Sequence, residues 1–365
     1  MESTTVTAAV FQGPERGVEL QQFPVPSLKS REALVDITCC TVCGSDLHTL
    51  RGDRNEPTPS ILGHEAVGRV VAVGPQAPYD IDANEIKVGD RVVWSPCVSC
   101  GFCDRCLAGW PQKCESLFKY GHEIADGRHA LSGGLSESIL LRPGSAIARV
   151  PDAIPDVTIA PSSCATATVM AAIRSSGFSD PGRVLILGAG MLGLTAAAIL
   201  STDYGADVVV ADTNVDRLRT AMKFGCNQVI PWEQLSSEAS QTNANAPGDY
   251  QLILEMSGSP QAVSITPSLA DIGGSIVLVG SVLPSPAAEF SPETIVRKCL
   301  RIHGMHNYAP ADLSAAVDFL ARTYDQFPWT ELIASSHSLT DAPSALASAT
   351  IEKPIRIAIV PTTNA

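Results

Sequence analysis

The sequence predicts an α/β protein: a doubly wound parallel sheet, with a smaller, mostly β region before and after it in the chain. Three observations predict this. From about Pro181 the chain alternates continuous apolar runs with helix-like segments, the pattern of repeated βα units in a buried parallel sheet. A glycine-rich turn, Gly188-Ala189-Gly190-Met191-Leu192-Gly193, sits between the first such strand and its helix. Up to about Pro155 the chain instead shows short alternating runs bounded by glycine, as in strands with one solvated face.

Each element follows from its local pattern. Ala33 to Thr38 alternates as a strand, and Gly68 to Val73 and Asp90 to Trp94 are further β-rich runs. Pro75 to Val88 is polar and acidic, hence a surface loop. Val184 to Leu187 is an apolar run suited to a buried parallel strand, and Met191 to Tyr204 is a helix rich in Ala and Leu. Val208 to Ala211 is the next strand; Asp216 to Phe224 is helical, with Gly225 placed to end it. Leu252 to Leu254 and Ser275 to Val279 continue the alternation, and Ile355 to Val360 closes the chain with a strand.

Composition narrows the function. The 365 residues carry 25 Lys and Arg against 38 Asp and Glu, a net charge of −13. That length is enough for two or three domains. The acidic balance excludes wholesale wrapping of nucleic acid, which needs a basic surface. A composition 45% apolar and 17% charged is that of a soluble globular chain. Met1 to Thr5 has neither a basic start nor a following apolar segment, so no secretory signal is expected and the chain reads as cytoplasmic. The longest apolar run, Val184 to Leu200, is interrupted by Gly188, Gly190 and Gly193 and reads as strand, turn and helix, not as a membrane span. Eleven cysteines in a reducing compartment point to metal before disulfide, and five of them fall between Cys97 and Cys114.

Three motifs carry chemistry. In the glycine turn, Gly188 permits the tight bend, Gly190 lets a pyrophosphate approach the backbone, and Gly193 allows the helix to pack closely on the sheet. The first helical residues, Met191 and Leu192, offer free N–H groups to the phosphates. Asp212, ending the next strand nineteen residues after Gly193, can accept from both ribose hydroxyls and repels a phosphate there, which favours NAD over NADP. Arg217, in the following helix, is the residue that would serve NADP instead. The second motif is Cys100, Cys103, Cys106 and Cys114, four thiolates able to close a tetrahedral zinc shell; Cys97, three residues before Cys100, offers a competing register. The third is discontinuous: Cys43-Gly44-Ser45-Asp46-Leu47-His48, then Gly63-His64-Glu65, then Cys164. Two thiolates and one imidazole leave the fourth zinc position open, which is the catalytic arrangement. Cys39 and Cys40 are neighbours without that context, and Cys226 and Cys299 read as buried packing residues.

Taken in order along the chain, these blocks resemble the zinc-dependent medium-chain alcohol dehydrogenase family. The resemblance implies a GroES-like catalytic domain over residues 1–155, with a structural-zinc lobe at about 95–117, a Rossmann NAD-binding domain over 156–305, and a return to the catalytic domain over 306–365. It implies that Cys43, His64 and Cys164 hold a catalytic zinc, with Glu65 behind them or as an exchangeable ligand. Ser45 and His48 would form a proton relay, Cys100, Cys103, Cys106 and Cys114 would hold a structural zinc, and Arg356 would reach the cofactor pyrophosphate. Many members place a basic residue directly after the first ligand cysteine, where this chain has Gly44. The implied activity is hydride transfer between a small-molecule alcohol and NAD in a homodimer or homotetramer, with two zinc ions per subunit and no nucleic-acid or membrane partner.

Gln112 to Glu123 and Cys164 to Thr168 also resemble a phosphonate-catabolism-associated subfamily. That implies a hydroxyalkyl phosphonate substrate, which the basic run Lys119, His122, Arg128 and His129 would suit. Set against it are a threonine- or polyol-type secondary alcohol dehydrogenase, a zinc lyase or hydrolase on the same fold, and a non-catalytic relative. Polyol members often carry Glu where Cys164 stands.

Overall fold

The computed structural model describes residues 5–180, 182–241 and 246–361; Pro181, where the β/α alternation was expected to begin, lies outside them. The chain divides into two compact units. One takes the chain up to Ala167, Asn307–Tyr324 and the chain from Trp329; the other takes Thr168–His306 and Asp325–Pro328.

The first unit is mostly β. Its main sheet has seven strands, with Ala33–Thr41 at the centre, paired to Glu65–Val73, to Arg356–Val360 and to Ser138–Leu141. Ile37, Val70, Trp94, Ile139 and Ile359 fill the core beneath it. The C-terminal strand therefore completes a sheet begun by the N-terminal third, as expected from its apolar run. The strand register does more than stabilise. Thr41 pairs with Glu65 in antiparallel register, and Ala358 pairs with Thr41. Cys43, His64 and Arg356 each lie one or two residues beyond those paired positions, so one edge of the sheet collects all three. The helix Gly44–Arg51 starts there, with Cys43 as N-cap. The acidic Pro75–Val88 stretch contributes no strand, though Ile86 is buried under it.

The second unit is a six-stranded sheet, parallel throughout. Arg183–Leu187 lies in its middle, between Asp207–Asp212 and Tyr250–Glu255. These strands are apolar on both faces because helices cover both, and Leu185, Leu187, Val209, Ile253 and Ile276 are core. The Val184–Leu200 run divides into the strand Arg183–Leu187, a turn, and the helix Met191–Asp203. Among the described residues no single helix is long and apolar enough to cross a membrane. The helix Pro260–Leu269 ends on an unusual cap: the buried ammonium of Lys298 donates to the carbonyls of Pro267, Ser268 and Ala270, at 2.9 to 3.1 Å. A cation at a helix C-terminus satisfies carbonyls that the helix leaves open.

Cysteine placement differs from expectation at one point. Cys226 is buried, but Cys299 is exposed with φ at +53°. It follows the short helix Pro292–Arg297 at the surface, with its Sγ 3.7 Å from the Val296 carbonyl, and so is not a buried packing residue. Cys39 and Cys40 are buried in the central strand, where burial pushes the Cys39 thiol up to about 12.

The glycine turn generates a prediction. A Cβ on Gly193 would lie 1.8 Å from the carbonyl oxygen of Gly188. Helix propensity alone favours alanine by about 1 kcal/mol, but a rigid backbone overlap reverses the sign. Gly193→Ala should lower stability by about 1–3 kcal/mol in thermal or denaturant unfolding; an unchanged or higher Tm would show that helix and strand are not in contact there.

Candidate metal centre and nucleotide crevice

Three side chains converge at the collecting edge of the first unit. The Sγ atoms of Cys43 and Cys164 and a ring nitrogen of His64 all lie within 4.8 Å of one another. Cys43 arrives from the start of its helix, and His64 from the residue before the Glu65–Val73 strand. Cys164 follows the 3-10 turn Ala160–Ser163, which is fixed where the Ser163 hydroxyl donates to the His64 carbonyl at 3.1 Å and Tyr308 donates to the Ser163 carbonyl.

The electrostatics are those of a site built for a cation. The two thiols face each other: a hydrogen bond from Cys164 and the charge of Arg356 hold Cys43 well below the usual thiol range, while Cys164 is raised by the same contact and by burial. Burial would depress the His64 pKa, but Asp46 and Cys43 outweigh it and lift it to about 10. Nδ1 of His64 lies 3.3 Å from Asp46 Oδ1, off the line of a good hydrogen bond. Asp46 also accepts from the Cys43 amide at 2.9 Å. One carboxylate thus bonds the helix start and lies against the imidazole. Two soft thiols, one imidazole and a carboxylate behind it form a donor set that suits zinc. Sequence reasoning passed over Asp46; its signal was its position three residues after Cys43, where a side chain can cap the helix.

Glu65 and Arg356 sit behind the three, and their placement corrects the expectation for Arg356. Its guanidinium is buried and fully engaged: Nε and Nη2 donate to the two oxygens of Glu65 at 2.8 and 2.7 Å, Nη2 also to Cys43 Sγ at 3.5 Å, and Nη1 to the Ile355 carbonyl. The register of the last strand puts it beside Cys43, where it compensates a buried carboxylate, instead of at a pyrophosphate. Glu65 also accepts from the Thr41 hydroxyl at 2.7 Å. Burial raises its pKa, and Arg356 opposes the rise. With both oxygens bonded, Glu65 is not among the grouped ligand atoms.

Ser45 Oγ lies 3.4 Å from His64 Nε2, at the mouth of the cluster. His48, one turn on, is partly exposed, with Nδ1 at 2.9 Å from Asp53 and 2.7 Å from Arg51. Of the basic run, Arg128 makes two 2.7 Å bonds to Glu32, and His129 lies against Phe118 and Arg142. His122 reaches the metal cluster, its ring 5.3 Å from that of His64, with Nδ1 at 3.1 Å from Glu56. Burial pushes the His122 pKa down to about 4. Neither Glu56 nor its bond to His122 could be read from spacing, since 66 residues separate them.

The four-cysteine group is compact too. Sγ of Cys100, Cys103, Cys106 and Cys114 lie within 4.8 Å of one another. The Cys100 amide donates to Cys114 Sγ and the Cys103 amide to Cys100 Sγ, each at 3.3 Å. Such bonds favour thiolates, and the first holds Cys114 down to about 6. Cys97 stays apart in the strand Cys97–Val98, paired with Phe118–Lys119.

In the second unit a crevice of about 380 Å³ opens at the carboxyl ends of the strands, lined by Gly188, Gly190, Asp212, Arg217, Trp232, Met256, Ser257 and Gln261. This is where an open parallel sheet binds a nucleotide. The three glycines differ in role. Gly188 has φ at +107°, and its Cβ would lie 3.0 Å from the Ser257 amide; above Gly190 nothing lies within 4 Å; Gly193 is the packing position. Gly190 caps the helix with no side-chain bond, so its first N–H groups face the crevice. Asp212 closes back on the turn, accepting from the Ala189 amide at 2.6 Å and the Asn214 amide at 2.7 Å, with lone pairs to spare. Trp232 and Gln261 had no sequence signal; they come from helices that only the sheet brings here.

A zinc-type donor set in a mostly β unit, with a nucleotide crevice on a parallel sheet in the other, defines a zinc-binding, dinucleotide-dependent oxidoreductase. Residues 29–152 match the alcohol dehydrogenase GroES-like domain, and residues 192–322 match the zinc-binding dehydrogenase family. An L-threonine 3-dehydrogenase from Anaeromyxobacter dehalogenans is 30% identical over 301 residues, 80% of this chain and 81% of the relative. A 5-exo-hydroxycamphor dehydrogenase from Pseudomonas putida is 28% identical over 93% of this chain and 94% of its own. The crystal structure of an alcohol dehydrogenase from Thermotoga maritima superposes with a TM-score of 0.91 at 26% identity, covering 98% of this chain and all of the other. The chain belongs to the zinc-type medium-chain alcohol dehydrogenase family.

The buried ion pair yields a prediction. Arg356→Leu leaves Glu65 charged and unpaired in the interior, which costs about 3–5 kcal/mol. Denaturant unfolding of the variant should show that loss. A stable Arg356→Leu protein whose only defect is a raised KM for NAD would return Arg356 to the pyrophosphate.

Proposed function

We propose that the chain oxidises a secondary alcohol to a ketone with NAD as hydride acceptor, or runs the reverse. The observation that carries this is the convergence of Cys43, His64 and Cys164 within 4.8 Å. These three would hold the catalytic zinc, and Cys100, Cys103, Cys106 and Cys114 a second, structural one. The catalytic ion, when bound, supplies Lewis acidity that lowers the pKa of the substrate hydroxyl. The chain's own residues do the rest. Asp46 keeps His64 oriented, and the Glu65–Arg356 pair balances charge behind the thiolates. Ser45 Oγ accepts the hydroxyl proton as it passes on its own, since a hydroxyl can do both without holding charge. His48, partly exposed and with Nδ1 2.9 Å from Asp53, is the group that would deliver that proton to water. NAD, when bound, would supply the hydride acceptor, so that alcohol plus NAD balances to ketone, NADH and a proton. Asp212 would take the ribose hydroxyls and the Gly190 turn the pyrophosphate.

The substrate class draws on the threonine dehydrogenase relative, whose named substrate is a secondary alcohol. The hydroxyalkyl phosphonate reading keeps only Lys119 and His122 in its favour, because Arg128 is committed to Glu32 and His129 to Phe118 and Arg142.

Absorbance of NADH on mixing with secondary alcohols tests the activity, and a lyase, hydrolase or non-catalytic relative would produce none. Metal analysis separates the two zinc sites. Cys43→Ala should lose turnover by more than about a hundredfold, since a metal ligand is removed, with one zinc retained and folding nearly intact. Cys103→Ala should lower Tm by several degrees, because a closed site contributes folding free energy directly. Cys103→Ala with two zincs and an unchanged Tm would refute the structural assignment. Asp212→Ala should raise KM for NAD and lower the NAD-to-NADP preference by about tenfold or more; an unaltered enzyme that prefers NADP would shift the role to Arg217.

A further inference from the structure

Cys164 differs from the other two grouped ligands in how it is carried. Cys43 caps a helix, and His64 stands beside a strand paired along its length. Cys164 instead follows the four-residue 3-10 turn Ala160–Ser163, and its own backbone is neither helical nor extended, with φ at −131° and ψ at −75°. At this end the turn makes the bond from the Cys164 amide to the Pro161 carbonyl, at 3.2 Å. A turn this short holds few hydrogen bonds of its own, and those have poor geometry. The place of the thiol is therefore set from outside the turn.

Two side-chain bonds set it, and both meet at Ser163, which is fully buried. The Tyr308 phenol donates to the Ser163 carbonyl, so it bonds the very peptide group that joins Ser163 to Cys164. The Ser163 hydroxyl spans the carbonyls of His64 and Ala160, each at 3.1 Å. Two ligands a hundred positions apart are thus tied through one residue. Tyr308 is itself only 2% exposed, and it is anchored independently of the turn. It sits just before the helix Pro310–Thr323, whose start is closed where the Ala309 amide donates to the buried Asp312 carboxylate at 2.9 Å. The far end is held by Trp329, which donates to the Thr323 carbonyl at 3.2 Å and meets the Phe319 ring edge-on. Leu313, Ala316 and Leu320 bury the face between.

We infer that Tyr308 is a positioning residue for Cys164: by holding the Ser163–Cys164 peptide it presents the thiol to the metal and raises the affinity of the three-ligand site. The inference rests on the zinc reading above and adds the residue that keeps that zinc in place. The four-cysteine site does not depend on Tyr308, because its ligands share one lobe with its own amide-to-sulfur bonds.

The zinc-loaded protein, titrated with a chelator, tests this. Tyr308→Phe keeps the ring and removes one bond. It should raise the Kd of the catalytic zinc about tenfold or more, the usual effect of losing a group that orients a ligand, while the structural zinc stays bound. With cobalt in the three-ligand site, the thiolate-to-cobalt absorption should shift or weaken. Tyr120→Phe is the control: it removes a phenol bond to Ser145, 2.7 Å long, from an equally buried tyrosine. It should lower Tm to a similar extent and leave zinc affinity and the cobalt spectrum unchanged. Should Tyr308→Phe not fold, Asp312→Asn decides, since it loosens the helix start that carries the phenol and should move the same Kd the same way. An unchanged Kd and cobalt spectrum in the Tyr308 variant, or equal zinc loss in the Tyr120 control, would overturn the inference and leave the zinc reading standing. An unaltered protein that binds zinc at the four cysteines alone would overturn both.

Discussion

Strand register is the constraint on which the metal centre depends. Thr41 faces Glu65, and Ala358 faces Thr41. Because side chains alternate along a strand, a slip of one residue in either pairing would turn a whole strand's inward set outward. It would also carry His64 or Arg356 away from Cys43. The core residues Ile37, Val70 and Ile359 thereby hold the chemistry in place without touching it. The buried pair of Glu65 and Arg356 works in the same direction. A carboxylate that is 0% exposed demands its cation, so the C-terminal strand can dock in one register only.

In the nucleotide-binding unit the corresponding constraint is close backbone approach. The turn at Gly188 presses on the Ser257 amide, and Gly193 presses on Gly188. The loop after Tyr250–Glu255 is held in turn by the buried Glu255 carboxylate, which accepts from the amides of Ser257 and Gly258 at 2.7 Å each. Two loops from neighbouring strands are fixed against one another, and the open space above Gly190 is what remains between them. A nucleotide site of this kind is shaped by atoms that cannot be present, and that is why glycine marks it so clearly in a sequence.

This explains which features could be read from the sequence. Features made by contiguous residues were open to reading: the glycine turn with Asp212, the cysteine lobe with its spacing, the alternation of strand and helix. The division into a mostly β part interrupted by a parallel-sheet part was visible because the two have different hydrophobic periods. Features that depend on which strand lies beside which were not. Arg356 was expected at a phosphate, since nothing near it in the chain announces Glu65, which lies 291 positions away. Arg128 and His129 looked like part of a basic pocket until Glu32 and Phe118 took them. Cys299 looked like a packing residue by type, but its left-handed backbone in a turn sends it to the surface. Glu56 meets His122 across 66 residues of chain, and no spacing rule identifies it.

The cap on the helix Pro260–Leu269 has a consequence of a different kind. The Lys298 ammonium is enclosed by three carbonyls and has no exposed surface. Acylating reagents need a free amine lone pair and room to approach it, and in the folded unit this lysine offers neither. It becomes reactive only when the helix end separates from the segment carrying Lys298. Covalent labelling at this one side chain, quantified by peptide mass against the exposed lysines, is therefore a built-in clock for local opening of the nucleotide-binding unit. It would record excursions too brief to appear in the average structure.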